Sequence, residues 1–319
     1  MKKSAFLWLL LPLLAGCKDS TDTPVPVESS KISLLGTIGS TVNTRGDGVI
    51  DPNASGFESQ TLLLSFARIN QDAATGVYPA YGSTMLYATR TAGTGVTNIT
   101  FDAASQQYYT PAGTNSSSKL VGWYPRADVT DGAVSFTIDG STDVMLSNEV
   151  EGSMASQFNT DAKKFTFNHL LTQLQFKVYA IDAAAQTAWG TITSIKLKNQ
   201  YTACSVTLPG TVSFPTTGTA SDLNVSGVSL PVALGLTSAN ATGAGYFMIA
   251  PVAATGSATL EIVTSAGGTK TITIPVPADG FLAGNAYVIT LSFSNQGVTG
   301  SAGIGTWISN TVTDEVAVS

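Results

Sequence analysis

The feature that most limits this chain's fold is its division into short runs of alternating apolar and polar residues, each closed off by Gly, Asn, Asp or Pro. The clearest run reads Phe165, Phe167, His169 and Leu171; after a slip of one residue it continues as Leu174, Phe176, Val178 and Ala180. Alternation with period two assigns one set to each face of a β-strand, and a slip in phase is what a β-bulge produces. Similar runs lie at 60–69, 84–89, 119–124, 133–138, 191–197, 205–214, 246–251, 258–264, 271–276 and 286–293. One window, 182–189 with its alanines, has the makings of a helix and reads equally as an extended loop. Many short strands with regular turn signals predict an all-β chain of sandwich type rather than an α/β fold. At 319 residues there is room for two such units, and the renewed alternation after Lys164 puts the boundary near residue 164.

The first strand stands apart. Ile32, Leu34, Gly36, Ile38, Ser40 and Val42 share one face, Lys31, Ser33, Thr37, Gly39 and Thr41 the other, and only Leu35 breaks the pattern. The run ends at Asn43-Thr44-Arg45-Gly46-Asp47-Gly48, a turn-rich loop expected at the surface. Arg45 reads as a proteolytic site or as an ordinary loop residue. Arg45-Gly46-Asp47 spells an integrin-binding tripeptide, but three residues recur by chance and a cut after Arg45 would split it. Asp47 and Asp51 supply too few oxygens for a calcium loop.

Ahead of that strand, Lys2 and Lys3 precede an apolar run from Ala5 to Leu14, about half the length needed to span a bilayer, which reads as an export signal. Leu14-Ala15-Gly16-Cys17 follows and resembles a lipobox, in which the cysteine is acylated and the signal removed just before it. Residues 18–30 are polar and Pro-containing and read as a tether. With Cys17 lipidated, Cys204 has no partner for a disulfide, so packing and backbone pairing must hold the fold.

Charged residues make up 11% of the chain, against roughly 25% in an average soluble protein, and the net charge is -6. This balance implies no basic face to replace counterions, which argues against a nucleic-acid partner. His169 is the one histidine, and its place among strand phenylalanines suits a hydrogen-bonded core residue better than a catalytic base. Trp123, Trp189 and Trp307 could stack on sugars, but strand-embedded tryptophan is more often core. The acidic residues are scattered, and no phosphate-loop, dinucleotide or nucleophile-elbow motif occurs. An enzyme, a cofactor or a metal centre is therefore not expected.

Read in order, the lipoprotein signal, the early strand ending in Thr44-Arg45-Gly46, Val121-Gly122-Trp123-Tyr124-Pro125, the stretch from Phe165 to Phe176, Ala286-Tyr287-Val288-Ile289-Thr290-Leu291 and a terminal segment around Trp307 resemble the fimbrillin family, the type V pilins of Bacteroidales. The resemblance covers the whole chain. It implies two tandem transthyretin-like, Greek-key β-sandwiches: a signal over 1–17 ending at lipidated Cys17, a tether and removable strand over 18–45, and sandwiches over 46–164 and 165–319. It also implies that an Arg-specific protease cuts between Arg45 and Gly46 and that the strand carrying Ile32, Leu34, Ile38 and Val42 leaves. A neighbour's tail then fills the slot, here through Ile304, Ile308, Val312, Val316 and Val318, with Asp314 interrupting the row. The implied partners are copies of the chain or related pilins, the protease, and the outer membrane before maturation; the implied role is adhesion or biofilm formation. The alternative is a monomeric surface glycan-binding lipoprotein that keeps its first strand.

Overall fold

The computed structural model describes residues 30–39, 61–93, 95–113 and 115–303. The first strands are β1 (Leu34–Ile38), β2 (Leu62–Asn70), β3 (Leu86–Arg90), β4 (Thr97–Phe101) and β5 (Ser118–Tyr124). Next come β6 (Val129–Thr130), β7 (Ala133–Thr137), β8 (Met145–Ser147), β9 (Val150–Gly152), β10 (Phe165–His169) and β11 (Thr172–Ala180). Helix α1 (Ala183–Trp189) precedes β12 (Thr191–Gln200), β13 (Ala203–Thr207), β14 (Thr211–Ser213), β15 (Ser221–Asn224), β16 (Val232–Ala233) and β17 (Thr242–Ile249). The last four are β18 (Ala258–Thr264), β19 (Gly268–Ile274), β20 (Ala286–Ser294) and β21 (Gly297–Gly303). The described chain is all-β with one short helix, as its alternation requires.

Eight strands make one sheet in the order β2-β3-β4-β1-β10-β8-β5-β9, and β2 also pairs with β5. The sheet therefore curls round and meets itself, so its two faces share edges and β9 hangs from β5. Phe66 stands inside, with Phe101, Phe165 and Phe167 around it at 5.9, 5.2 and 6.1 Å in edge-to-face contacts. Beyond it, the sheets β17-β11-β20-β21 and β15-β12-β18-β19 close over a second core that includes Phe176, Phe247, Ile262 and Phe293. A third cluster joins the two. There β7 pairs with β13, placing Phe136 opposite Cys204, and Trp123, Leu208, Tyr246 and Met248 pack alongside.

Two local readings need correcting, and one that the sequence leaves open is decided. The phase slip after His169 is not a bulge within one strand: β10 ends at His169 and β11 starts at Thr172 in another sheet. Leu170 donates its N–H to Val144 O at 2.8 Å, and the buried Leu171 accepts from Gly284 N at 2.8 Å, so the slip marks the crossing between layers. The register irregularity of this stretch lies farther on, between Gln175 and Lys177 against β17. The run 205–214 is a hairpin rather than a single strand, because Pro209 has no N–H to continue the ladder. The 182–189 window is helical. Asp182 caps it by accepting from Ala185 N at 2.7 Å, and Gly190, at φ 73° and ψ -126°, takes a backbone conformation open to glycine where the helix ends.

Phe165–His169, which the sequence groups with the second unit, is hydrogen-bonded in the first sheet, between β1 and β8. This places the first five residues of the Phe-rich stretch directly against β1.

Candidate functional site

The site is the slot that holds β1. β1 runs antiparallel to β4, with Leu34 opposite Ile99 and Gly36 opposite Thr97, and parallel to β10, with Gly36 opposite Phe165 and Ile38 opposite Phe167. Gly39 N continues the second ladder to Phe167 O at 2.7 Å. At the entry, Ile32 N donates to Gln107 O at 2.9 Å and Tyr109 N donates to Ser30 O at 2.7 Å. The strand is thus paired along both edges, and neither partner is its neighbour in sequence.

Its inward row is the one read from the sequence. Ile32, Leu34 and Ile38 are 2%, 1% and 4% exposed and belong to the first core. Full burial of each stabilises by about 1.5–3 kcal/mol on transfer arithmetic. The outward row, Lys31, Ser33, Leu35 and Thr37, is partly or fully solvated, so Leu35 breaks the sequence pattern on the face where that costs little.

The walls are braced independently of the strand. Arg68 on β2 donates to Gln107 Oε1 at 3.0 Å, Tyr108 O at 2.9 Å and Ser118 Oγ at 2.9 Å, pinning the 106–109 stretch at the slot's entry. Burial holds its guanidinium below the usual arginine range. Tyr109 stacks on Phe158 and accepts from Phe158 N at 2.8 Å; burial raises its phenol. Arg90, fully buried on β3 opposite Ile99, donates to Gly93 O at 3.0 Å and Gly95 O at 3.1 Å, tying down the turn into β4. Loss of water pushes its pKa down to about 10. Neither arginine, nor Ile99, was singled out from the sequence. Thr97-Asn98-Ile99-Thr100-Phe101 offers only two apolar residues, although Gly95 and Asp102 bound it as they would bound a strand.

Of the residues predicted from sequence, Ile32, Leu34 and Ile38 come together here. Cys17, Val42, Arg45, Gly46, Ile304, Ile308, Val312, Val316 and Val318 lie outside the described residues. His169 is buried and its Nδ1 hydrogen-bonds Asp143 Oδ2, with both side chains wholly enclosed, which fits a core residue. Trp123 and Trp189 are core residues whose indole N–H groups donate to Ala127 O at 3.0 Å and Ser294 O at 2.8 Å. Cys204 is a free, buried thiol, pushed up to about 11 by burial. No cluster of three or more His, Cys, Asp or Glu that could hold a metal occurs among the described residues.

A second concavity of about 370 Å³ opens where β5 and the 207–209 turn meet, lined by Tyr78, Tyr81, Lys119 and Glu149 among others. Three of its polar groups are engaged with one another: Tyr81 OH donates to Glu149 at 2.8 Å and Lys119 pairs with Glu149 at 2.7 Å while lying over the Tyr78 ring.

A strand inserted between two walls far from it in sequence, inside a closed all-β sheet, is the feature that sets this fold apart. The profile of the fimbrillin-like family matches residues 56–307, and the chain belongs to that family. Over 328 aligned residues it is 29% identical to the Bacteroides uniformis protein named "Putative fimbrium subunit Fim1C", covering 96% of each chain. Among solved structures, a "putative cell adhesion protein" from Bacteroides uniformis superposes with a TM-score of 0.59 at 20% identity, over 88% of this chain and 100% of that one. One of the same description from Bacteroides ovatus gives 0.54 at 17% identity, over 88% and 99%. These two share the fold.

Proposed function

We propose that the chain is a structural subunit of a surface fimbrium, made as an exported lipoprotein anchored through Cys17 and activated by a cut between Arg45 and Gly46. The observation that carries this reading is the isolation of β1. Both of its hydrogen-bonded neighbours come from distant parts of the chain, residues 97–101 and 165–169, so a single cut after it leaves only non-covalent contacts in place. Withdrawing β1 would open a gap of about two strand spacings, roughly 10 Å, edged by unpaired N–H and C=O groups and floored by Phe66, Phe165 and Phe167. Such an edge is a template for another strand. A strand from a related subunit or another copy restores the ladder and the apolar row together; the candidate donor in this chain is the tail carrying Ile304, Ile308, Val312, Val316 and Val318. Family membership and the fimbrial relative support the fimbrial role, and adhesion or biofilm formation would follow from it.

The test is to treat the exported protein with an Arg-specific protease. One cut near Arg45 followed, once related fimbrial subunits are added, by ladders that resist cold denaturant supports the reading, and a chain that stays whole and monodisperse counts against it. Deleting Val312 to Ser319 should abolish this chain's joining to a related subunit while leaving the monomer folded. The glycan-binding alternative has the Tyr78–Tyr81–Lys119–Glu149 concavity as its candidate site; retention of the first strand together with polysaccharide binding would favour it.

A further inference from the structure

Gly36 is the one small residue in the inward row of β1, and conformation does not explain it. It is absent from the glycines with positive φ, so its backbone is ordinary extended strand that any residue can adopt. Space explains it instead. A Cβ placed at Gly36 would lie 2.3 Å from Ile99 Cδ1, 3.2 Å from Ile99 Cγ1 and 3.5 Å from Phe165 O. Ile99 comes from the opposite wall and fills the position that a side chain would take.

We infer that Ile99 makes the slot a size filter, admitting an extended strand readily when a glycine, and under strain when an alanine, stands between its second and third inward aliphatic residues, and that the completing strand is therefore supplied by a different subunit rather than by this chain's own tail. The inference rests on the strand-exchange reading above for its application to partners, and on packing for the filter itself.

Ile99 is 1% exposed and β-branched, so its χ1 is stiff. Cδ1 alone can swing, and it swings into a core that is already close-packed. A methyl group at the Gly36 position is thus accommodated with strain, while anything branched or longer has no room. The matching pattern is aliphatic-x-aliphatic-x-Gly-x-aliphatic, written here by Ile32, Leu34, Gly36 and Ile38. The chain's tail has three registers with aliphatic residues two positions away on both sides, centred on Thr306, Asn310 and Asp314. All three central side chains exceed a methyl group, and two would carry an amide or carboxylate into an apolar slot at further cost. The direction is fixed as well: the guest must run parallel to β10 to reproduce the ladder at Phe165 and Phe167.

The experiment uses the full chain with a cleavage site introduced between residues 40 and 60, nicked so that the first strand remains seated. Labelled peptides spanning 30–42 are added in excess and incorporation is read after gel filtration. The parent peptide should enter, Gly36→Ala weakly, and Gly36→Val about ten- to a hundredfold less. A 304–319 peptide should enter poorly and improve with Asp314→Gly. Ile99→Ala in the nicked chain should restore entry of the Gly36→Val peptide. Equal entry of the parent and Gly36→Val peptides overturns the filter, and entry of the unaltered tail peptide on a par with the parent overturns the choice of partner. Failure of every peptide, the parent included, overturns the exchange reading instead. The filter is then decided in the uncut chain, where Gly36→Val should lower Tm and Gly36→Val with Ile99→Ala should recover most of the loss; no recovery overturns it.

Discussion

Asp143 and His169, 26 residues apart in sequence, meet as a fully enclosed hydrogen-bonded pair where the first sheet hands the chain over to the second. Asp143 lies just ahead of β8, and His169 ends β10, opposite Met145. The pair therefore fixes the end of the strand that forms one wall of the β1 slot.

Removing one member of this pair should be costly out of proportion to its size. Asp143→Ala deprives a buried imidazole of its carboxylate and should destabilise the chain by about 1–3 kcal/mol in denaturant titration. Asp143→Asn, which keeps a hydrogen-bonding oxygen, should lose less. Unfolding of Asp143→Ala at the parent midpoint would show the pair to be energetically idle.

The first strand should respond to substitution by face. Leu34→Ala removes a side chain from the closed core and should cost about 2–5 kcal/mol. Ser33→Lys, on the solvated face, should change stability by less than about 0.5 kcal/mol. Hydrogen exchange at Gly39 N and Ile32 N should accelerate in the first variant and remain at parent rates in the second.

Alkaline pH should weaken the fold through groups far from the slot. Burial lifts the Cys204 thiol from 9.0 to about 11, so the folded chain holds that proton where the unfolded chain has lost it. Between pH 9 and 11 the folded state binds more protons, and stability falls as pH rises through that window. Tyr78 adds a similar loss, lifted to about 12 by burial first and then by the Glu151 carboxylate. Cys204→Ala should flatten the part of the stability–pH curve between 9 and 11, and the native thiol should resist alkylation at pH 8.

The cap of helix α1 offers a local control. Asp182→Ala removes the acceptor for Ala185 N and should cost about 0.5–2 kcal/mol. The loss should appear in global unfolding and leave the pairing of Ile32 N and Gly39 N at the slot unaffected.

The sequence exposed the slot's occupant more readily than its walls. Ile32, Leu34 and Ile38 could be read because one buried face in a paired strand imposes strict alternation. β4 could not, because a five-residue strand with a solvated outer face leaves only Ile99 and Phe101 as signal, and Thr and Asn there read as loop. The Asp143–His169 pair was hidden for another reason: a contact between residues far apart in sequence has no local periodicity. The slip after His169 was visible but ambiguous, since a bulge and a crossing between sheets both shift the phase by one residue. The aromatic content of the Phe165–Phe176 stretch could not reveal that its first five residues belong with β1.

The ladder at Gly36, Thr37 and Ile38 runs with Phe165, Thr166 and Phe167, whereas the other edge of β1 runs against β4. A guest that keeps both sets of bonds has only one way to lie in the slot. Any assembly propagated through it would be vectorial: each member would present one berth and one guest strand, so the two extremities would differ chemically and growth would have a built-in heading.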